Sequence, residues 1–540
     1  MARRTRPAFD RRLIVHRLED RTVPATFTVT NTADAGTGSL RDAITQADAS
    51  NTAGDMILFS NTDASGTQTN FYDGSRHTIS LQTALPTITD PVSVSGPGAT
   101  AIVVTSATHG FGIFVANPGA GNSVSMRGLT VAAGAAMNGG GIQQSSGSLT
   151  LSGMVVTGNT ASNSGGGVYF GGDGTLTITD CSIANNTAMT RNGGGIYSGP
   201  ITVITNSVVS ANVALTTGGG VYGYGTLTIT GCSVAGNSAR TLAGGVGGTT
   251  AIDILDSTIS GNTAVSGGGV YGSGSVRITA STLANNCAKS RPDGTGGRGG
   301  AASVTRSFAN LTIANSSLVD NTADFGGGAI YGQYGSLAIG NSTLSGNTSG
   351  LGGAIYFQHG GAFGITNSTV VRNTAGIGGG IDLKAFSGTA NITSSTISGN
   401  TETGRRGITG YAGGIGIGSG NGTIILDNTI VSGNTSNGYT DISTGASGSV
   451  QARFSALGNS TGYALVDQGG NLIGADATPA ALRLGLPDDF AGPNGTFTMV
   501  PLKYGGTAID AGDPALAGTT DQRGLPRPQD TNPATNPNNR

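Results

Sequence analysis

GGGVYFGGDGTLTITDCSIANNTA runs from residue 165 to residue 188, and much of the chain is a variation on it. GGGIYSGPITVITNSVVSANVA (193–214), GGGVYGYGTLTITGCSVAGNSA (218–239) and GGGVYGSGSVRITASTLANNCA (267–288) keep the same order. Each unit holds a glycine corner, Val/Ile-Tyr, a short turn, an alternating stretch, a second short apolar stretch and an Asn-Thr-Ala-like close. The closing asparagines are Asn159, Asn186, Asn212, Asn237, Asn262, Asn286, Asn321, Asn347, Asn373, Asn400 and Asn434. They stand 24 to 27 residues apart, except for two longer steps, from 286 to 321 and from 400 to 434. A self-similar period of this length is the mark of a stacked repeat architecture.

The unit is made of strands. Leu176-Thr177-Ile178-Thr179 and Leu227-Thr228-Ile229-Thr230 alternate apolar and β-branched polar residues, which is strand periodicity. Glycine interrupts every run before a helix of useful length could form. One unit then holds about three short strands and three turns. It cannot bury its own apolar face, so units must stack about 4.8 Å apart. The expected fold is all-β: a single-stranded parallel β-helix, right-handed by the usual rule for parallel crossovers, with at least eleven coils. Val168, Ile178, Ile183 and their equivalents line its interior. The Gly-Gly-Gly corner permits positive φ and close approach of coils. The Asn column is expected to point inward and bond to corner backbone and to the Asn above and below, as in stacked amide ladders. A solvent-facing turn column is the competing reading.

Composition narrows the function classes. Glycine is 96 of 540 residues without a strict every-third-residue period, which excludes collagen. Charged residues are 10%, too few for a charge-rich disordered chain or a protein of long surface helices. Net charge is −2, so no global field favours nucleic acid. No run of 18 apolar residues offers a membrane-spanning helix. Cys181 and Cys232 share one slot with Ser207 between them, so they stand about 10 Å apart, beyond the ~7 Å limit for a disulfide. Cys287 sits at another corner, and all three thiols are expected to be free.

The ends carry a resemblance. FTVTNTADAGTGSLRDAITQADASNTAGDMILF (27–59) and ISLQTALPTITDPVSVSGPGA (79–99) resemble the opening of bacterial surface β-helix proteins of the pectin-lyase-like and polymorphic outer-membrane-protein type. Ser39 suits an N-cap, with Leu40, Ala43, Ile44 and Ala47 on one face of a short helix. The resemblance implies that this helix caps the first coil, hiding an open strand edge. NLIGADATPA (471–480) and PLKYGGTAIDAGDPALAGTTDQRGLPRP (501–528) resemble the anchor-type domain called choice-of-anchor Q. That resemblance implies a secreted or cell-surface protein. RLEDRTVPA (17–25) resembles a leader element ahead of surface repeat proteins, although residues 1–25 lack an apolar signal-peptide core. The chain thus divides into a leader-type segment (1–25), an N-terminal cap with irregular first coils (26–138), regular repeats (139–440), C-terminal coils with the anchor-like region (441–528) and a Pro/Asn tail (529–540).

Chemistry is sparse. His16, His77, His109 and His359 offer no zinc spacing, no phosphate loop is present, and the glycine turns lack the aspartates of calcium-binding rolls. No metal and no cofactor are expected. Three features break the repeat. In GGGIDLK, Asp382 takes the slot of Tyr356 one coil earlier, with Lys384 beside it and His359 near; this is either a catalytic carboxylate–lysine pair or a solvated outward pair. Tyr169, Tyr197, Tyr222, Tyr271, Tyr331 and Tyr356 share an outward slot, where rings either bind sugars or cover their own sheet. Both long steps open between the Asn and glycine corners, so one edge gathers Arg191, Arg240, Lys289, Arg291, Arg298, Arg405 and Arg406. Arginine forks suit carboxylate or sulfate; the plainer reading is solvated loops that keep the rod soluble. Together these point to a non-enzymatic, adhesin-like surface protein that contacts acidic or envelope polysaccharide, with Tyr331 and Tyr356 among the binding residues. A polysaccharide lyase or glycoside hydrolase and a purely structural spacer are the alternatives. The oligomeric state is left open.

Overall fold

Hydrogen bonds between units 24 to 35 residues apart set the architecture. The computed structural model describes residues 24–50, 54–61, 68–108, 110–404, 411–445, 447–459, 461–492, 495–503, 506–508, 511–516 and 519–527. The chain is a right-handed parallel β-helix of about 16 turns. The leader-type segment up to residue 23, Arg405, Arg406, His109 and the tail lie outside the described residues.

A regular coil has four strands, not three. Val168–Phe170, Thr175–Thr179, Ser182–Ala184 and Thr187–Ala188 are one coil's share. Stacked in register, they build four parallel sheets, here the tyrosine sheet, the long sheet, the flank sheet and the short sheet. Among the described residues these hold 13, 17, 16 and 11 strands. Side chains stack column by column: Leu151, Ile178, Ile204, Ile229, Ile254 and Ile278 follow one another up the long sheet, each essentially buried. Each such aliphatic side chain contributes about 1.5–3 kcal/mol of burial. The turns beyond eleven come from N-terminal coils such as Asp55–Phe59 and Val92–Ser95 and C-terminal coils such as Ser449–Arg453, which carry no closing Asn of the column.

The glycine corner shows why a side chain is excluded. A Cβ on Gly166 would lie 2.4 Å from the carbonyl oxygen of Gly194 and 2.5 Å from the Thr187 nitrogen of neighbouring coils. The residue before each ladder Asn needs a left-handed backbone: Gly236 has φ +64 with open space around it, so it serves conformation alone.

Two side-chain ladders run inside the corners. Each column Asn is 0–3% exposed, and its Nδ2 donates to the Oδ1 of the next Asn at 2.9–3.0 Å from Asn159 to Asn434. The second Nδ2 hydrogen goes to a corner carbonyl, as from Asn186 to Val156 at 2.9 Å. The column ends on Asp441, whose Oδ1 accepts from Asn434 N and Nδ2 at 3.1 and 2.9 Å. The second ladder, between the long and flank sheets, links Cys181, Ser207, Cys232, Ser257, Ser281, Ser316, Ser342, Ser368, Ser395, Thr429 and Ser455. Each backbone N–H donates to the side chain one coil further on at 3.0–3.4 Å. Two thiols therefore stand in for hydroxyls. All three cysteines are free, and burial pushes the Cys181 thiol up to about 11.

The N-terminal end is covered. The helix Leu40–Ala49 is N-capped by Ser39, whose side chain accepts from the Asp42 N–H, and it buries Leu40, Ala43, Ile44 and Ala47. Arg41 fastens it through Asp34 at 2.8 Å and the Thr83 carbonyl at 2.9 Å. At the other end the chain doubles back along the flank sheet. A hairpin, Asp488–Gly492 with Gly495–Met499, places the Thr498 carbonyl 3.1 Å from the Thr343 hydroxyl. The Asp521-Gln522-Arg523-Gly524 turn then inserts Gln522 between two coils. Its Nε2 donates to Thr343 Oγ1 at 2.6 Å and its Oε1 accepts from Thr369 Oγ1 at 2.9 Å. Arg372 donates to the Pro487 carbonyl at 2.8 Å and Arg527 to Asn367 Oδ1 at 2.9 Å. Gln522→Ala strands the buried Thr369 hydroxyl and leaves Thr343 its bond to the Thr498 carbonyl, at about 1–3 kcal/mol. Limited proteolysis is expected to cut between residues 481 and 527 on the order of tenfold faster than in the unaltered chain, if the strap opens locally before cleavage.

Candidate functional site

The tyrosine sheet forms a floor between two lines of turns. On one side lies the turn that joins the short sheet to the glycine corners. Backbone bonds run along it from coil to coil: Thr216 N to Arg191 O, Thr241 N to Thr216 O, Val265 N to Thr241 O and Gly297 N to Val265 O. The turn is one continuous edge. Arg240 and Lys289 take the same slot, each donating its N–H to the carbonyl of the buried alanine one coil before, Ala214 or Ala264. They are two coils apart, about 10 Å.

Arg191, Arg240, Lys289 and Arg291 are exposed there, and among the described residues none has a carboxylate within ion-pair distance. Two acids share the edge but are occupied. Asp293 accepts from the Thr295 hydroxyl and N–H at 2.6 and 2.9 Å, bonds that hold its carboxyl below the usual range. Asp324 accepts the Ser290 N–H at 2.7 Å. Arg298 differs from the sequence expectation of a free edge cation. Its guanidinium lies over the rings of Phe325 and Tyr331, 5.4 and 5.3 Å from their centroids.

The floor is half open and half closed. Tyr169, Tyr197 and Tyr222 stack in successive coils at 5.0 and 5.7 Å and stay half-buried, as does Tyr271. Tyr331 and Tyr356 do not offer ring faces to a sugar: they are 1% and 3% exposed. Over them the short sheet widens, from the two residues of Thr187–Ala188 to the five of Thr322–Gly326 and the four of Thr348–Leu351. Phe325 meets Tyr356 edge-on at 6.0 Å.

At the end of this row the register puts Asp382 opposite Tyr356 and Gly416. Asp382 is not a solvated outward residue. It is 1% exposed, and among the described residues its Oδ1 has no hydrogen-bond partner. Burial pushes its carboxyl up to about 7; Lys384 pulls the other way and Glu402 adds to the rise. Lys384 is half-buried, with Nζ 3.5 Å from the Tyr411 hydroxyl and 5.9 Å from that ring's centroid. The Tyr411 ring packs against Gly418, where a Cβ would come within 2.6 Å of it, so the glycine makes room. Glu402 fills the slot held by buried alanines in other coils, receives the Ser436 hydroxyl, and is itself pushed upward by burial. Sequence reading missed Glu402 and Tyr411. The signal was present for Glu402, since Asn-Thr-Glu at 400–402 replaces Asn-Thr-Ala. A carboxyl near neutrality can exchange a proton at ordinary pH, and an unpaired ammonium can hold an anion.

Beyond the tyrosine sheet, on the other line of turns, Tyr334 and His359 are exposed and stacked at 5.6 Å with 17° between ring planes.

One family comparison agrees with the architecture. The family described as right handed beta helix region matches residues 90–250. No curated protein sequence matches the chain. Two solved structures are similar. One is a mannuronic acid specific polysaccharide family 6 lyase from human gut microbiota, 9% identical, with a TM-score of 0.34, covering 83% of this chain and 91% of the lyase. The other is ORF18 of Geobacillus virus E2, 11% identical, with a TM-score of 0.23, covering 78% of this chain and 61% of that one.

Proposed function

We propose that this chain is a non-enzymatic, adhesin-like β-helix protein of the bacterial surface or its surroundings, holding an acidic polysaccharide along the edge beside the tyrosine sheet. The observation that carries the reading is the row Arg191, Arg240, Lys289 and Arg291: exposed cations without ion-pair partners among the described residues, on a chain with 10% charged residues, flanking half-open tyrosine rings. Carboxylates of a linear polyuronate match such a row by charge, and the rings supply amphipathic contact area. The resemblance of both chain ends to surface proteins supports the location.

The test is retention of the full chain on immobilised polygalacturonate at low and high salt. Exposed ion pairs contribute roughly 0.2–1 kcal/mol each and are screened by salt, so affinity is expected to fall on the order of tenfold between 50 and 500 mM NaCl. The double variant Arg191→Glu, Arg240→Glu is expected to bind weakly at either salt. Salt-independent retention rejects the electrostatic reading. Release of unsaturated products or new reducing ends would assign the chain to the lyases or hydrolases and put Asp382 at the centre of attention.

A further inference from the structure

Three side chains in register lie on the tyrosine sheet's outer face beside the exposed ring pair: Gln333, Gln358 and Lys384, each half-buried. The Gln358 amide is 3.0 Å from His359 Nε2, so the amides and the Tyr334–His359 stack form one patch. Among the described residues Lys384 has no carboxylate within ion-pair distance, and its ammonium donates to the Tyr411 hydroxyl at 3.5 Å. Two residues away on the same strand, Asp382 keeps an acceptor oxygen buried and, among the described residues, without a partner. Buried acceptors are nearly always satisfied, and a bare one asks for an explanation. The patch therefore offers ring faces, amide groups for hydroxyls, an ammonium without an ion-pair partner among the described residues, and a buried acid two residues along the same strand.

We propose that Gln333, Gln358 and Lys384, with the Tyr334–His359 pair, form a subsite for one uronic acid residue, its carboxylate on Lys384, and that Asp382 makes binding there proton-linked. The inference rests on the acidic-polysaccharide reading above and gives it a second, separately testable contact. The groups facing Asp382 are Lys384 on its own strand, Tyr356 from the coil before, and Glu402 and Tyr411 from the coil after. Of these only Lys384 carries positive charge. When Asp382 is neutral, the Lys384 ammonium is available to the ligand. When Asp382 ionises, it draws on that ammonium and repels the incoming carboxylate. Burial places this change at about pH 7. Affinity therefore falls as pH rises through neutrality, and binding takes up a proton.

The experiment is calorimetric titration of the full chain with an oligogalacturonate from pH 5.5 to 8.5, in two buffers of different ionisation enthalpy to count protons. One added charge at this range in a partly buried site is expected to weaken the unaltered protein on the order of tenfold between pH 6 and 8. Asp382→Asn should bind with no such slope and no proton uptake. Lys384→Gln should bind more weakly and with a shallower slope, since direct repulsion by ionised Asp382 remains. His359→Gln should keep the full slope, which separates the role of Asp382 from that of the neighbouring imidazole. A slope that survives Asp382→Asn, or vanishes with His359→Gln, overturns the proposal. Weakening by Arg191→Glu, Arg240→Glu with a flat pH profile overturns the subsite and leaves the basic-edge reading standing. No binding at any pH removes that reading, and the subsite with it. Circular dichroism of each variant checks that the coils are intact.

Discussion

Asn262→Ala is expected to lower the unfolding free energy by about 3 kcal/mol, read from urea denaturation followed by far-UV circular dichroism, since a single buried group stripped of its partner costs about 1–3 kcal/mol. The chain has no tryptophan to report by fluorescence. The Asn262 side chain accepts from Asn237 N and Nδ2 at 2.9 and 3.0 Å and donates to Val234 O and Asn286 Oδ1 at 2.9 and 3.0 Å. Alanine retains the backbone N–H but removes all four of these bonds in a corner closed to water. Asn262→Asp sharpens the test: it keeps the acceptor, loses both donors, and turns oxygens on the Val234 and Asn286 oxygens. Its loss should exceed that of alanine. A change below 0.5 kcal/mol in both variants, the range of an ordinary surface substitution, would mean the column bears no weight.

Asp382→Asn is expected to stabilise the protein increasingly as pH rises. The native carboxyl sits at about 7, while an unfolded aspartate titrates near 3.9. Between these values the native state binds more protons than the unfolded state, so stability declines as pH increases through that window. The penalty is absent below pH 4 and complete above pH 7. At 1.36 kcal/mol per unit, its ceiling is about 4 kcal/mol at pH 8. Denaturation midpoints of the two proteins should meet at pH 4 and separate progressively between pH 4 and pH 7. Parallel curves would show that Asp382 does not titrate on folding. Glu402, pushed in the same direction, should leave a smaller slope in the variant.

Much of this fold is written in the sequence because the repeat writes it many times. The inward asparagine slot, the outward tyrosine slot and the glycine corner are each defined by periodic copies. The helix Leu40–Ala49 is legible from its cap and its apolar face. Features without periodicity are not. A two-residue strand such as Thr187–Ala188 has no alternation to detect. Cys181, Ser207 and Cys232 visibly share a slot, yet only the loops' closure shows their side chains bonding along the axis. Burial of Tyr331 and Tyr356 depends on Phe325 and Arg298 folding across them, a packing event that local spacing does not encode. The Gln522 contact joins residues 179 positions apart in the chain, so no local pattern announces it. At the candidate site, GGGIDLK marks Asp382 as unusual, but whether it meets water or Tyr411 is decided by the following coil.

The asparagine column also fixes what kind of object this rod is. Within the column, each coil receives two bonds at its corner from the coil before and hands the same two to the coil after, so adjacent units are interchangeable to their neighbours. The limits of the column are not: Asn159 opens it, and Asp441 accepts the final pair without passing one on. A carboxylate there also meets the N–H end of the aligned amides, much as an acidic residue meets the N-terminus of a helix. The molecule is thus a ruler with a fixed beginning and a fixed end, and its length can be reset by whole divisions inserted or removed in the middle.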